Sequence, residues 1–295
     1  MSLMIGGIEA GGTKFVLAVA ENDGKIITRK KIPTGDPEAV ITDVISFFKQ
    51  FPIQSLAIGS FGPIGVDPRR DDYGSIKNTP KKGWANFRFL DLIKKAFPNL
   101  PVVWTTDVNV AAYGELTLGA GRGVNDLAYL TVGTGVGAGI IYQQKLYTGY
   151  NHAELGHLLM QPRAKDQFLG NCPYHGRCLE GMASGLALEK RIGHSAKLLE
   201  KDDAVWRTEA FYLAQACVDL TVSFAPEKII FGGGVSNQEQ LFPLIRESFT
   251  EQLANYVDTP PVDQYIVHAL LGDDAGIVGA LKLASEKLTD QVTAL

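Results

Sequence analysis

The apolar positions of the first 35 residues fall into three runs separated by turn residues. "LMIGGIE" passes through "AGGT" into "KFVLAVA", and "ENDGK" then leads into "KIITRKKI". This pattern predicts three strands, with Asp23-Gly24 as the hairpin signal between the second and third. Asp36 followed by Pro37 predicts a helix start, an N-cap oxygen ahead of a proline at the first helical position. That helix carries apolar residues to Phe47 and Phe48 and stops before Pro52. "SLAIGSFG" and "PVVWTTDV" are near-continuous apolar runs of the kind buried parallel strands show, and "NVAAYGELTLGA" after the second reads as a helix.

The opening pattern returns at residues 127–142, where "LAYLTV" enters "GTGVGAG", leaves as "IIYQQ" and turns again into "KLYTG". Identities between the two stretches are few, so this is a structural echo rather than a sequence repeat. Farther on, "DAVWRTEAFYLAQACVDLTVSF" reads as helix and "EKIIFGGGVS" as strand, glycine turn and helix. "QYIVHALLG" reads as a strand and "DDAGIVGALKLASEKL" as a closing helix. Strands alternating with helices define an α/β class, and two similar halves, each with a glycine turn, predict two lobes facing one cleft. The expected division is 1–117, completed by the closing helix at about 277–295, against 118–276, with the cysteine- and histidine-rich loop at 151–181.

Composition narrows this picture. A chain of 295 residues is long for one core, and 45% apolar residues is a globular value. A net charge of −4 speaks against nucleic acid as the main partner, and no apolar run is long enough to cross a bilayer. The N-terminus lacks the basic and apolar regions of a signal peptide, and "MSL" ahead of a second Met resembles a cloning remnant. Three cysteines without a secretory signal fit the reducing cytoplasm.

Three glycine turns are candidates for holding an anion: Gly11-Gly12-Thr13-Lys14, Gly133-Thr134-Gly135 and Gly232-Gly233-Gly234. Each alone is an ordinary connection. A dinucleotide fingerprint counted from Gly133 fails at Ala138. A P-loop over Gly7–Lys14 ends Thr-Lys and has no helix after it. What remains is a pair of strand–turn–strand cradles with threonine hydroxyls, suited to nucleotide phosphates.

Among the carboxylates, Asp107 ends a strand directly before a helix, where open α/β sheets place ligands. A helix cap is as good a reading as catalysis there. Glu9 ends the first strand beside a phosphate-type turn, which suits a magnesium-linked role, direct or through water. Glu154 and Glu180 bracket the Cys/His stretch and are placed to accept hydrogen bonds from sugar hydroxyls. The plain alternative for these three is an exposed carboxylate.

That stretch has the spacing His157-x14-Cys172-x2-His175-x2-Cys178. Two sulfur and two nitrogen donors suit tetrahedral zinc, and four protein ligands leave no open position, so the metal is structural. A Cys172–Cys178 disulfide is the competing reading. His152 is a fifth candidate with poorer spacing, and Cys217 reads as a buried packing thiol.

"GGIEAGGTKF" (6–15), "TDVNVAAYGE" (106–115), "GTGVGAG" (133–139), "ELGH" (154–157), the Cys/His run to "CLEG" (172–181) and "FGGGV" (231–235) together resemble the ROK family (repressors, open reading frames and kinases). The resemblance implies a two-lobed actin-like ATPase (ribonuclease H-like) fold with an inserted zinc-binding loop. It implies Asp107 as the base that takes a proton from a sugar hydroxyl. Gly11, Gly12, Thr13, Lys14, Gly133 and Thr134 would hold ATP phosphates, and Gly233 and Gly234 would border adenosine. Asn109, Glu154, His157 and Glu180 would lie at the sugar, with His157 also on zinc, Mg²⁺ accompanying ATP, and a homodimer as the assembly. Thr106 stands where the family commonly has Asn, and Cys-Pro-x-His replaces the usual Cys-x-Cys-Gly with a longer insert after His157. With "NTPKKGWANF" (78–87), this resembles the family's bacterial fructokinase branch, which phosphorylates fructose at O6. The alternatives are action on glucose, mannose or N-acetylmannosamine, or a sugar-sensing regulator, which carries a helix-turn-helix ahead of the glycine turn. Here that turn begins at residue 10.

Overall fold

The computed structural model describes residues 3–293; the first two residues of "MSL" and the last two of the closing segment lie outside the described residues. The first strands are β1 (Met4–Ala10), β2 (Lys14–Glu21) and β3 (Ile26–Pro33), followed by helix α1 (Pro37–Phe48). Asp36 caps α1 as its position predicts, its carboxylate accepting from the Ala39 amide at 3.1 Å. Then come β4 (Ile53–Ser60), α2 (Phe89–Ala96), β5 (Val102–Thr106) and α3 (Asp107–Leu118). The second series is β6 (Leu127–Val132), β7 (Val136–Tyr142), β8 (Lys145–Leu146), α4 (Leu179–Ala183), α5 (Gly185–Ile192), α6 (Val205–Phe224) and β9 (Lys228–Gly232). It ends with α7 (Leu241–Leu253), α8 (Val262–Tyr265), β10 (Ile266–His268) and α9 (Ala275–Thr293).

Two five-stranded sheets result, and they share one plan. The first runs β3-β2-β1-β4-β5, with β1 antiparallel to β2 and parallel to β4. The second runs β10-β9-β6-β7-β8, with β6 antiparallel to β7 and parallel to β9. Numbered from its own first strand, each sheet has the order 3-2-1-4-5. The weak echo read from the sequence is therefore a duplicated topology.

The chain forms two compact units. One holds the described residues up to Leu118, the segment Leu146–His152 and the described residues from Asp273 onward. Strand alternation gives its sheet two buried faces. Phe15, Leu17 and Val19 point into a core with Phe48, Trp84 and Phe89. Val16, Ala18 and Ala20 face the other way, against Val110 of α3 and Ile277, Ala280 and Leu281 of α9. Helices α3 and α9 cross at small residues: a side chain on Gly279 would strike the Val110 carbonyl, and one on Gly114 the Ala275 carbonyl. Leu146–His152 is held in this unit by His152, whose Nε2 accepts from the Ile64 amide at 3.0 Å, and by Arg70 over the Tyr150 ring at 4.7 Å.

The other unit holds Gly119–Lys145 and Ala153–Gly272 around a core that includes Leu130, Met182, Tyr212, Leu213, Phe231 and Phe249. Three elements differ from the sequence pattern. Residues 233–240 form turns, so the helix expected directly after "FGGGVS" begins only at Leu241. "QYIVHALLG" keeps three strand residues, because Pro261 starts the short helix α8, which takes in Tyr265. The glycine turn after β6 ends at Gly135, and Gly137 and Gly139 lie within β7.

Glu209 of α6 is 1% exposed, and neither carboxylate oxygen has a hydrogen-bond partner among the described residues. Burial pushes its carboxyl up to about 8, against the opposing pull of Arg191. An unfolded glutamate loses its proton near 4.3, so between there and pH 8 the folded state alone keeps it. Stability therefore falls as pH rises through this window. Glu209→Gln is expected to remove one group's share of that slope, at most about 1.4 kcal/mol per pH unit, in urea unfolding between pH 5 and 8. An unchanged slope would mean that Glu209 is ionised in the folded protein.

Candidate active site and metal centre

Strands β1, β4 and β5 are parallel, so their C-terminal ends share one edge of the first sheet. Ala10 pairs with Ser60, and Ser60 with Thr106. Two sequence-predicted features leave from that edge, the Gly11–Lys14 turn after β1 and Asp107 after β5. In the turn, the Gly11 amide donates to the Lys14 carbonyl at 3.0 Å, and Thr34 Oγ1 donates to the Gly11 carbonyl at 2.7 Å. The Gly11 N–H is thus spent internally, which leaves the Gly12 and Thr13 amides as the ones to face an anion. Lys14 Nζ lies 3.9 Å from Asp273.

The helix cap that Asp107 could supply comes from its neighbour instead. Thr106 Oγ1 accepts from the Asn109 amide at 3.2 Å, the bond an N-cap makes to the third helical residue. Asn109 is buried, and its side-chain amide donates to Thr105 Oγ1 at 2.9 Å. A threonine directly before the helix was the signal for this cap in the sequence, where the aspartate drew the attention instead. Asp107 accepts only a local bond from the Val108 amide at 2.9 Å. Its half-buried carboxyl is pushed up to about 6 by burial, against the pull of that amide.

Glu9 stands at the same edge. Burial, and next the charge of Asp107, push its carboxyl up to about 7, while Lys14 and Arg29 oppose the shift. Its Oε2 is buried without a hydrogen-bond partner among the described residues, and a side chain on Gly276 would strike the carboxylate. A buried, unsatisfied carboxylate oxygen beside a phosphate-type turn fits a divalent cation or one of its waters.

In the second unit, two glycine turns lie side by side. The Gly133 amide donates to Gly135 at 2.9 Å, and the Val235 amide to Val132 at 2.9 Å. Gly233 has φ +88°, and any side chain there would strike the Val132 backbone, so only glycine fits. A methyl group built on Gly133 would meet nothing nearer than the Gly234 amide nitrogen, at 3.9 Å, and one on Gly234 nothing within 4 Å. Helix α5 starts at the same place: Gly185 donates to the Gly133 carbonyl at 2.7 Å, and Ser184 caps the helix through the Ala187 amide at 3.1 Å. Open space at both turns and a helix N-terminus beside them are features that suit an anion.

Val136 brings the remaining predicted sugar residues together. Its amide donates to Glu180 Oε2 at 3.1 Å, and its carbonyl faces Gly156 of the "ELGH" turn so closely that a side chain there would clash. Glu180 Oε2 also lies 2.5 Å from where a methyl group on Gly135 would stand. Gly135 is therefore small to admit a carboxylate. Glu154 leads into the short 3₁₀ turn Leu155–His157, and its carbonyl accepts from the His157 amide at 3.0 Å.

His157, Cys172, His175 and Cys178 converge, with all four ligand atoms within 4.8 Å of one another. The two Nδ1 atoms are 3.3 Å apart, Cys178 Sγ is 3.5 Å from His157 Nδ1, and Cys172 Sγ is 3.8 Å from each histidine Nδ1. Zinc bonds of about 2.0–2.1 Å to nitrogen and about 2.3 Å to sulfur give tetrahedral edges of roughly 3.3–3.8 Å. The donor set thus suits Zn²⁺ in chemistry, and these four spacings match the edges of its tetrahedron. Cys172 and Cys178 are free thiols, which removes the disulfide reading, and His152 is engaged with Ile64 instead. Cys217 is buried in α6, as expected of a packing thiol.

These features belong to one known class. The ROK family model matches residues 5–287, and the chain belongs to that family. A fructokinase of Pediococcus pentosaceus is 50% identical over 286 residues, spanning 97% of this chain and 99% of its own. Among solved structures, a ROK hexokinase from Thermus thermophilus superposes with a TM-score of 0.80 at 26% identity, covering 98% of this chain and 100% of its own. A ROK family glucokinase from Streptomyces griseus, in complex with glucose and AMPPNP, gives 0.74 at 28% identity over 97% and 100%. The fold is the actin-like α/β ATPase fold with an inserted Cys/His loop. No helix among the described residues is long and apolar enough to cross a membrane.

Proposed function

We propose that this protein is an ATP-dependent sugar kinase that transfers the γ-phosphoryl group to O6 of D-fructose, giving fructose 6-phosphate and ADP. The observation that carries the reading is Asp107, a carboxylate at the ligand-binding edge of a sheet, relieved of capping by Thr106 and shifted to about 6. A general base works best with a pKa near the operating pH, and at neutral pH this one is ionised and ready to accept a proton. The fructokinase relative and the glucokinase with bound glucose and AMPPNP support the same reaction class.

In the proposed mechanism, Asp107 takes the O6 proton as that oxygen attacks the γ-phosphorus. The bond from the γ-phosphorus to the β,γ-bridging oxygen breaks opposite, and ADP departs. The amides of Gly12 and Thr13, and those of Thr134, Gly233 and Gly234, hold the nucleotide, while the Gly133 amide braces its own turn. Glu154, Glu180 and His157 hold sugar hydroxyls, and Asn109 supports the Asp107 turn. Glu9 would hold magnesium, directly or through water, and the ion bound with ATP would neutralise charge on the phosphoryl oxygens. His157 would hold zinc through Nδ1, which faces the cluster, and its Nε2 would then carry the proton and serve as a donor to the sugar.

A coupled ADP-release assay over fructose, glucose, mannose and N-acetylmannosamine tests the reading. The highest kcat/KM is expected with fructose. Preference for glucose would move the protein to the glucokinase side of the family, and no release with any hexose would end the kinase reading.

A further inference from the structure

We propose that Lys81 binds the terminal phosphoryl group of the nucleoside triphosphate, an inference that rests on the kinase reading and deepens it. Lys81 lies in "NTPKKGWANF", a stretch to which the mechanism above gives no task. Its tip lies directly on the Gly11–Lys14 turn. A methyl group built on Gly12 would stand 2.6 Å from Lys81 Cε and 3.1 Å from Nζ. The absence of a side chain at Gly12 thus leaves room for an ammonium group beside the amides offered to an anion.

The position is held from the core rather than by chance contact. The Trp84 amide donates to the Lys81 carbonyl at 3.1 Å, and the Lys81 amide reaches Thr79 Oγ1 at 3.4 Å. The Trp84 indole is fully buried and donates to the Gly35 carbonyl at 2.9 Å. Its ring lies 5.5 Å from Phe15, the residue directly after Lys14, and 5.5 Å from Phe61. One aromatic cluster therefore fixes both the lysine loop and the glycine turn.

Charge points the same way. Three other cations of this unit have carboxylates: Lys14 has Asp273 at 3.9 Å, Arg29 has Asp274 at 2.7 Å, and Lys77 has Asp72 at 2.7 Å. Lys81 is only partly exposed and pairs with no carboxylate among the described residues. A half-buried ammonium without a counter-charge, beside backbone amides, suits a phosphoryl oxygen through a charge-assisted hydrogen bond. Asp107 leaves the same sheet edge, two strands or about 10 Å across. A phosphoryl group on Lys81 therefore shares a sheet edge with the proposed base, as the transferred group must.

Titration calorimetry with AMPPNP and with ADP, on wild type, Lys81→Met, Lys81→Arg and Lys82→Met, separates the possibilities. Lys81→Met is expected to weaken AMPPNP about 10- to 100-fold and ADP less than about threefold. Lys81→Arg is expected to restore most of the loss. Lys82→Met, an exposed neighbour with the same charge change, is expected to bind like wild type. In turnover, KM for ATP is expected to rise in Lys81→Met while KM for the sugar stays within about twofold. Unchanged AMPPNP binding in Lys81→Met, or equal losses for AMPPNP and ADP, would overturn the inference. If Lys81→Met is misfolded by thermal melting, the same comparison is read on Lys81→Gln. Failure of wild type to bind AMPPNP would instead sink the kinase reading itself.

Discussion

Asp107→Asn is expected to lower kcat for sugar phosphorylation roughly 10²–10⁴-fold, the share a positioned general base contributes. The same substitution is expected to stabilise the fold at pH 8. The wild-type carboxyl has its pKa raised from 3.8 to about 6 by burial, so above pH 6 the folded state carries a charge that the unfolded state carries more easily. Asn removes that cost, about 1–3 kcal/mol, and the gain vanishes below about pH 4, where both states are protonated. A variant that is more stable yet nearly inactive cannot owe its inactivity to damage. In wild type, kcat/KM should fall as pH drops through 6, tenfold per unit once the base is mostly protonated. Near-normal turnover by a folded Asp107→Asn protein would refute the base assignment.

The second large effect concerns the metal. One zinc per chain is expected in wild type by atomic spectroscopy, and less than about a tenth of that in Cys178→Ser, since four ligands close the site. Burial pushes the free Cys178 thiol up to about 11, so metal entry has to displace its proton. Cys217→Ser is expected to keep the zinc. Glu180 lies two residues from Cys178, and His157 is itself a member of the cluster, so losing the metal frees two proposed sugar ligands at once. KM for the sugar should rise about 10- to 100-fold, with KM for ATP much less affected. A zinc-free protein with wild-type KM for sugar would show that the loop has no part in recognition.

Much of this was legible along the chain, for identifiable reasons. The strand pairs repeat the same alternation around glycine turns, and Cys-x2-His-x2-Cys brings three ligands together within one turn. What escaped depended on contacts distant in sequence. Helix α2 has buried Phe89, Leu90 and Ile93 at helical spacing but Arg88 at its N-cap makes no side-chain capping bond, so nothing local announced its start. Glu209 sits among apolar residues of a helix, and only the folded environment leaves its carboxylate without partners. Lys81 gained meaning once Trp84 had placed it on a turn nearly seventy residues upstream. The Thr106 cap had a local signal, which the more reactive neighbour obscured.

The path of the chain also sets an order of events during synthesis. Helix α9 covers one face of the first sheet, yet it emerges after the whole of Ala153–Gly272. On the ribosome, the second unit is complete while Ile5, Val16 and Ala57 still lack Ile277 and Leu281. The nascent chain thus carries an apolar sheet face covered only in part, by α3, until its final helix arrives, a surface that other chains or a chaperone would meet first. Synthesis stopped short of α9 would leave a finished glycine-turn and Cys/His unit attached to a sheet that cannot close its core.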